Sequence, residues 1–437
     1  MRIAIVTQFY PPEPVPFPAD VARGLAARGH DVRVITAFPN YPDGRLVPGY
    51  RQRPIGRERD GRVLVRRVPI VLSHSRSAVG RVLSYASFAL SSLAAGRFVR
   101  GADVVYVYAT PMTAAVGPAW WRRTRGTPFV LHVQDLWPES VTGSSLLTGR
   151  VAPRVVAAAL VPWLRRTYRS AAASIAIGPG MSRLLIERGA PPERVFTVFN
   201  WSSADDGAAA GAARARPGGT PAVRPGLHVL YAGNLGDAQD LETVVRAAAA
   251  ARDLDGFRVT LIGSGIARER IGDLARGLGA TNVTLLDRVP HDQMRPVHLT
   301  ADFELVPLRD LAIFRATIPS KLQESLALGI PVITTVGGDV ADLVTREGLG
   351  FASAPGDPGR LAETFRIAHA LPRSDRLAMG ERALAFSSAA MSSAVALESI
   401  ERIVTSAAGH PPWNTGKDSD STTGRPQARP RGRLEDR

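Results

Sequence analysis

Short apolar segments alternate with helical stretches along most of this 437-residue chain, and the alternation runs through the chain twice. In the first run, stretches with helical spacing separate Val- and Ile-rich segments of strand length. Those segments are residues 2–6, 32–37, 63–68, 104–109, 129–133 and 174–177. Strands that are apolar on both sides and alternate with helices predict a parallel sheet covered on both faces.

The second run begins after a segment of Ala, Gly, Pro and Ser that lacks apolar periodicity, as is typical of a linker. Its strand-like segments are residues 229–232, 258–262, 283–286, 303–306 and 331–334. We therefore predict an α/β protein with two doubly wound, Rossmann-like domains that face each other across a cleft. Such domains bind ligands at the carboxyl ends of their strands.

The predicted divisions are a first domain at 1–200, a linker at 201–226, a second domain at 227–385, a C-terminal helix at 386–408 and a disordered tail at 409–437.

The positive charge of the chain is concentrated in its first domain. The net charge is +15, and residues 1–200 contain 27 Arg but only 11 acidic residues. A basic domain favours anionic partners such as nucleic acid, anionic lipid or phosphorylated substrates, although an Arg-rich genome would also raise the Arg content. No base-reading motif accompanies the charge, so we expect no nucleic-acid partner.

Cysteine is absent, which excludes disulfides and cysteine-ligated zinc and suits a reducing compartment. We find no secretory signal and no uninterrupted apolar run of about 18 residues, so a cytoplasmic protein without a spanning helix is expected. Three segments of the first domain combine apolar or aromatic side chains with Arg: residues 79–93, 120–125 and 161–166. This composition indicates peripheral contact with an anionic membrane surface, although core helices with basic ends share it.

Six motifs follow one another in a characteristic order. They are Phe9-Tyr-Pro-Pro-Glu13, Arg28-Gly-His-Asp-Val32, Thr36-Ala-Phe-Pro-Asn-Tyr-Pro-Asp-Gly44, His132-Val-Gln-Asp-Leu-Trp-Pro-Glu-Ser140, Leu230-Tyr-Ala-Gly-Asn-Leu-Gly236 and Ile318-Pro-Ser-Lys-Leu-Gln-Glu-Ser-Leu-Ala-Leu-Gly-Ile-Pro-Val332. In this order and spacing the chain resembles glycosyltransferase family 4, a retaining family with the GT-B fold, over roughly residues 1–400. Within it, the sequence is most similar to bacterial O-antigen, capsule and colanic-acid transferases, including those described as L-fucosamine transferases.

The resemblance implies that the first domain binds the acceptor and that the second binds a nucleotide sugar. It also implies transfer with retention of anomeric configuration and without a metal. No cofactor is expected beyond the nucleotide-sugar co-substrate, which we expect to be UDP-linked. The implied acceptor is a saccharide linked to polyprenyl pyrophosphate, at the inner face of the membrane.

Pro319-Ser-Lys opens a predicted helix, with Ser320 as the expected N-cap. A helix start offers free amides and partial positive charge to a diphosphate, and Lys321 adds a compact cation. Glu324 lies one turn further on, and the resemblance matches it to the second glutamate of an E-x7-E signature that accepts hydrogen bonds from ribose hydroxyls. The first glutamate of that signature would fall at Ala316. Solvated first-turn side chains are the structural alternative for Lys321 and Glu324.

Two further segments are candidates for the donor site. Gly233 and Asn234 follow a strand, where the backbone can approach a phosphate closely. Arg288 follows another strand, at the place where the family's backbone meets the base.

In the first domain, His132 and Asp135 flank the carboxyl end of a strand and are the predicted catalytic pair, with Asp135 favoured to orient the acceptor or the sugar. A hydrogen-bonded core histidine is the alternative for His132. The predicted acceptor-binding residues are Glu13, Trp137 and Glu139. Where relatives place a Gly-Gly pair whose amides reach the donor phosphate, this chain has the proline-rich segment 14–18, and proline has no amide hydrogen.

Two other functions remain open at this point. A sugar-nucleotide epimerase of related fold would need paired acid and base groups around one donor, which the sequence does not reveal. A degenerate GT-B binding or assembly protein without activity would fit the proline-rich segment and Ala316.

Overall fold

The computed structural model describes residues 1–73, 78–138, 151–202 and 226–409. Most of the predicted linker and, beyond residue 409, the predicted tail lie outside the described residues. What is described forms two α/β domains, each built on its own sheet.

The first domain contains an eight-stranded sheet in the order β3-β4-β2-β1-β5-β6-β7-β8. Every pairing is parallel except that of β3 with β4. The strands are β1 Arg2–Val6, β2 Asp31–Ala37, β3 Gly56–Asp60, β4 Val63–Val68, β5 Val104–Tyr108, β6 Phe129–Val133, β7 Ala173–Ala176 and β8 Val195–Thr197.

The second domain contains a six-stranded, all-parallel sheet in the order β11-β10-β9-β12-β13-β14. Its strands are β9 His228–Ala232, β10 Arg258–Ile262, β11 Val283–Leu286, β12 Phe303–Val306, β13 Val332–Thr334 and β14 Gly350–Ala352. Counted within the domain, the order is 3-2-1-4-5-6, the Rossmann order, which reverses between β9 and β12. The predicted fold class is therefore confirmed.

The α-helices connect these strands and cover both faces of each sheet. They are α1 Phe17–Ala27, α2 Ala78–Ala94, α3 Val116–Arg125, α4 Val151–Ser170, α5 Pro179–Glu187, α6 Leu241–Ala250, α7 Arg268–Gly277, α8 His291–His298, α9 Ser320–Ala327, α10 Asp339–Arg346, α11 Pro358–Ala370, α12 Arg373–Ala390 and α13 Ser393–Ala407. Because both faces are covered, central strands such as β5 and β6 are buried at every residue.

Three strands were not predicted from the sequence, and all three lie at sheet edges. Strand β3 has the sequence Gly-Arg-Glu-Arg-Asp, which contains no apolar residue, and its pairing is antiparallel at an edge. Strands β8 and β14 have three residues each. Edge strands need little apolar surface, and short ones give too few residues for a periodic pattern.

The predicted C-terminal helix at 386–408 differs from the structure, because residue 386 lies inside α12 and the last helix begins at Ser393. Ser392 accepts a hydrogen bond from the amide of Val395 and caps this helix. Helix α13 crosses back to the first domain, where Ile400 and Val404 belong to its core. Glu401 pairs there with His30 at 2.8 Å.

A window within Arg373–Ala407 has the length and mean hydropathy of a membrane span. The segment Arg373–Ala407 comprises two separate helices, α12 and α13, and α13 packs on the first domain. We therefore assign this window to the folded protein rather than to a membrane span.

Candidate functional site

A cavity of about 410 Å³ opens at the carboxyl ends of β9, β10 and β11. Five of the six predicted donor-binding residues line it: Gly233, Asn234, Arg288, Lys321 and Glu324. The strand order of the second domain reverses beside β9, and such reversals are where open α/β sheets bind ligands. The fold thus brings together residues from three separate loops and two helices.

Lys321 lies on the wall of this cavity, against Gly233. A Cβ added to Gly233, whose φ is +146°, would lie 2.1 Å from the Lys321 Nζ, so any larger residue would displace the ammonium group. The Nζ also lies 5.3 Å from the centre of the Tyr231 ring, within range of a cation–π interaction. Burial lowers the pKa of Lys321, and the charges of Glu324 and Glu304 oppose that effect.

Gly263 supports the same wall from the next strand. Its φ is +147°, and an added Cβ would lie 1.8 Å from the carbonyl oxygen of Gly233. The two loop backbones therefore touch, and a hydrogen bond from the Leu235 amide to the Ser264 carbonyl joins them at 2.8 Å. This close approach leaves backbone rather than side chains at the cavity edge.

Ser320 does not take the predicted N-cap position. Pro319 occupies that position, and Ser320 is the first residue of the helix, exposed to solvent. Proline cannot cap through a side chain, and no side-chain cap bond forms at this helix start. The helix begins two residues after Ile318, whose side chain lies 3.1 Å from where a Cβ on Gly178 of the first domain would be. The helix start thus lies where the two domains meet.

Glu324 extends the cavity wall one turn along α9, and behind it lie two residues that the sequence analysis missed. His298 lines the cavity, with its Nδ1 2.5 Å from Glu304 Oε1 and its Nε2 3.7 Å from Glu324 Oε1. Glu304 is only 3% exposed. One sequence signal could have revealed this pair: Glu304 lies inside an otherwise apolar strand, and a buried carboxylate requires a partner.

Ala316, at the position of the missing first glutamate, is buried and packs against the apolar core of the first domain. It therefore contributes an apolar contact between the domains. Its neighbour Arg315 pairs with Asp310 on the surface at 2.7 Å.

In the first domain, His132 is 1% exposed and lies in the core between sheet neighbours. Its Nδ1 lies 2.5 Å from the Tyr106 hydroxyl and its Nε2 lies 2.9 Å from the Gln134 amide nitrogen. Burial lowers the pKa of His132 to about 3, which keeps the imidazole neutral. The predicted catalytic role in contact with substrate is therefore wrong for His132, and the core-histidine alternative describes it.

Asp135 has the opposite environment. It is solvent-exposed, and Thr110 donates a hydrogen bond to its Oδ2 at 3.3 Å. Desolvation by the surrounding protein raises the pKa of Asp135, while the Thr110 hydrogen bond lowers it. Burial raises the pKa values of Tyr85 and Tyr108, and the charge of Asp135 adds to the increase in both. Of the predicted catalytic pair, Asp135 alone is available to a substrate.

Glu13 was predicted to bind the acceptor, but its carboxylate is 4% exposed and already occupied. It accepts hydrogen bonds from the backbone amides of Tyr10 at 3.0 Å and of Asn40 and Tyr41 at 2.9 Å each. Burial raises the pKa of Glu13, and these hydrogen bonds lower it. Glu13 therefore fixes two loops to each other, and direct acceptor binding is excluded by its burial.

Those loops line a second cavity, of about 490 Å³, in the first domain. Most of the lining residues come from two of the six motifs and from α2, and the lining includes Gln8, Phe9, Asn40, Tyr41, Asp43, Arg81 and Tyr85. Gln8 is 3% exposed, and its Oε1 has no hydrogen-bond partner among the described residues. A buried acceptor without a partner beside an open cavity is suited to receive a hydrogen bond from a ligand.

Trp137, also predicted to bind the acceptor, is 6% exposed. Its ring packs against Tyr85 with 5.9 Å between centres, and its carbonyl accepts a hydrogen bond from Arg188 at 2.7 Å. It supports the cavity wall from behind. Glu139 lies outside the described residues.

The proline-rich segment 14–18 leads into α1, whose N-cap is Pro16. The start of α1 is covered by Trp201, whose ring packs edge-on to Phe17 at 4.9 Å and whose Nε1 donates to Asp20 at 3.3 Å. The side chain of Trp201 therefore covers this helix start.

A buried contact between α10 and α5 joins the two domains. Asp339, at the start of α10, accepts hydrogen bonds from the Gly180 amide and from Arg183, both on α5 of the first domain. Asp339 is 6% exposed. An acidic side chain at a helix amino end is favourable, so this contact holds α5 against the second domain.

Family models match both domains. The model described as glycosyl transferase 4-like domain matches residues 15–201, and the model described as glycosyl transferases group 1 matches residues 226–369. A relative in Escherichia coli K12, a putative colanic acid biosynthesis glycosyl transferase (WcaI), is 28% identical over 378 residues, which cover 84% of this chain and 86% of the relative.

Solved structures share the fold. Anabaena HepE in complex with UDP has a TM-score of 0.61 at 14% identity, covering 93% of this chain and 100% of HepE. WaaG, a glycosyltransferase involved in lipopolysaccharide biosynthesis, has a TM-score of 0.59 at 17% identity and covers 93% and 100% of the two chains. Both family models describe glycosyl transferases, which favours transfer over the epimerase and binding-protein alternatives. The chain belongs to the nucleotide-sugar-dependent glycosyltransferases of the GT-B fold, with a glycosyl transferase 4-like first domain and a group 1 second domain.

Proposed function

We propose that this protein transfers a sugar from a UDP-linked donor to a lipid-linked saccharide during synthesis of a cell-surface polysaccharide. The observation that carries the donor half is the cavity of the second domain, where Lys321, Glu324 and Arg288 meet loop backbone at the strand ends. The Lys321 cation and the nearby loop backbone suit a diphosphate. The Glu324 carboxylate suits the two hydroxyl groups of a ribose. The complexes of HepE with UDP support the choice of UDP.

The acceptor half rests on the cavity of the first domain. Its walls combine the ring of Tyr41, the guanidinium of Arg81 and the buried Gln8 oxygen, a mixture that suits the apolar faces and hydroxyl groups of a saccharide. Its lining residue Tyr85 packs against Trp137, two residues beyond Asp135 in the chain, which supports an acceptor site near that carboxylate. The colanic acid relative supports a surface-polysaccharide acceptor.

Transfer proceeds with retention and without a metal in this proposal. Lys321 and the amino end of α9 neutralise the leaving diphosphate, whose own oxygen takes the proton of the acceptor hydroxyl. The bond between the anomeric carbon and the diphosphate breaks as the new glycosidic bond forms on the same face. Asp135 orients the acceptor and stabilises the positive charge that develops on the sugar.

We propose that the first domain docks on the inner face of the membrane. Five apolar side chains on its helices are 49–67% exposed: Val82, Leu83, Leu90, Trp120 and Val161. Exposed arginines accompany them on the same helices, among them Arg81, Arg122, Arg123, Arg165 and Arg166. Helices α2 and α3 pack side by side, so apolar and cationic groups share one region, as in proteins that bind anionic lipid from the cytoplasm.

The test is a transfer assay with purified protein, UDP- and GDP-linked sugars, and a polyprenyl-pyrophosphate saccharide in vesicles containing anionic lipid. We expect one UDP-sugar to give product of unchanged anomeric configuration by NMR, with full activity in EDTA. Inversion, a requirement for a divalent metal, or exclusive use of GDP-sugars would each contradict the corresponding part of the proposal. Protein that sediments with neutral and anionic vesicles alike, at low salt, would contradict the docking surface.

A further inference from the structure

We propose that protonated His298 is a positioning residue, which turns Glu324 toward the ribose of the donor and thereby sets how strongly the protein prefers ribose to deoxyribose. The inference rests on the proposed function, because it assumes that a nucleotide occupies the cavity of the second domain. It adds a residue and a pH dependence that the donor assignment does not itself require.

The geometry makes His298 a bridge between two carboxylates. Its Nδ1 lies 2.5 Å from Glu304 Oε1, a hydrogen bond within the core, and its Nε2 lies 3.7 Å from Glu324 Oε1 at the cavity wall. The His298 side chain is 8% exposed and that of Glu304 is 4% exposed, whereas that of Glu324 is 32% exposed. The ring is therefore fixed from behind, with its second nitrogen directed to the one carboxylate that a ligand can reach.

With both carboxylates ionised, the charges of the cluster balance when the imidazole is protonated. Glu304 and Glu324 are then countered by His298 and Lys321, and the incoming diphosphate meets a neutral cluster. If His298 were neutral, two carboxylates would face one ammonium group beside the binding site of a dianion. Of the groups that face the ring, Glu304 comes from β12, and Lys321 and Glu324 come from α9.

The titration follows from the same contacts. Burial alone would lower the pKa of His298, but the hydrogen bond and charge of Glu304, with the charge of Glu324, outweigh it and raise the pKa, while Lys321 opposes them. Because the folded-state pKa is raised, the protonated bridge is complete below the ordinary histidine range and is lost as pH rises through the raised value. Burial raises the pKa of Glu304, which is opposed by its hydrogen bond and ion pair with His298.

The experiment compares the dissociation constants of UDP and 2′-deoxy-UDP across pH 5.5–9.5 by calorimetry. The phosphates titrate alike in both ligands, so their effect cancels in the ratio. For the wild type we expect a preference for UDP of about tenfold at low pH, the size of one hydrogen bond to a charged group. We expect it to fall to about twofold as the imidazole deprotonates. This pH profile tests the inference without any variant.

Three variants sharpen the result. In His298→Gln the amide still faces Glu324, so the preference should survive and lose its pH dependence. His298→Ala should lower the preference to about twofold at every pH, with UDP still bound. Glu304→Gln removes the carboxylate that raises the pKa and should move the midpoint of the profile to lower pH. His369→Gln, a histidine on α11 that contacts the Asp255 carbonyl, is the matched control and should behave as wild type.

A ratio that stays constant with pH in the wild type, or that is unchanged in His298→Ala, would overturn the inference while leaving the donor site in place. Failure of the wild type to bind UDP at any pH would instead overturn the proposed donor site.

Discussion

Both domains are built on a mainly parallel sheet, but they use their strand ends differently. Among the first-domain candidates, His132 and Glu13 are buried and hydrogen-bonded to their own domain, and Asp135 faces solvent. In the second domain, the ends of β9–β11 surround a cavity into which Lys321 and Glu324 project. These polar residues therefore mainly support the fold in the first domain and face a cavity in the second. Substitutions of His132 and Glu13 should therefore affect mainly stability, and those of Lys321 and Glu324 mainly ligand binding.

The largest expected effect is that of Glu13→Ala. Three backbone amides, two of them buried and one partly buried, lose their acceptor, at about 1 kcal/mol each, so the free energy of unfolding should fall by about 3 kcal/mol. Urea unfolding measures the change, with the exposed Glu187→Ala as control. Unchanged stability together with a raised KM for the acceptor would instead show that Glu13 contacts the acceptor. That result would contradict the difference between the two domains.

Lys321→Ala should affect binding instead of stability. Loss of one charge-assisted contact of about 2 kcal/mol predicts a donor dissociation constant about 30-fold higher, with kcat reduced as well. The melting temperature without ligand should change little, because burial already disfavours the charged form of this side chain. Arg360→Ala, an exposed cation of the same domain, is the control for general charge effects. Donor affinity within twofold of wild type would contradict the assignment.

Acid should destabilise the protein through His132. Its pKa of about 3 is below the unfolded value of about 6.5, so the stability it contributes is present above pH 6.5 and is lost as pH falls toward 3. At pH 5 the loss amounts to about 2 kcal/mol. Unfolding of wild type and His132→Gln at pH 7 and pH 5 measures it, because the variant should lose less stability on acidification. An equal loss in both proteins would show that His132 is not held neutral.

The smallest expected effect is that of Asp135→Asn, which should lower kcat about tenfold and leave both donor affinity and stability near wild type. With the raised pKa of Asp135, wild-type activity should fall as pH drops through a value above the usual carboxyl range. Thr110→Val removes the hydrogen bond that opposes this shift, and should move the acidic limb to higher pH. A stability loss comparable with that of Glu13→Ala would place Asp135 among the structural residues.

Most of the site in the second domain was predictable, and less of the site in the first. Gly233, Asn234, Arg288, Lys321 and Glu324 follow strands or begin a helix, and in a parallel sheet such positions meet at one edge. His298 and Glu304 were missed because their pairing joins a helix end to the middle of a strand, and no local spacing encodes it.

The sequence by itself determined the two Rossmann-like domains, because apolar alternation and the order of strands and helices are local properties that leave few topologies. It also determined which loops reach the strand ends. The tertiary structure alone decided which polar groups remain open to a ligand. Burial and hydrogen-bond partners come from residues distant in the chain, as in the pairing of Glu13 with Asn40 or of His132 with Tyr106. Those partners determine whether a carboxylate or an imidazole supports the fold or can act on a substrate.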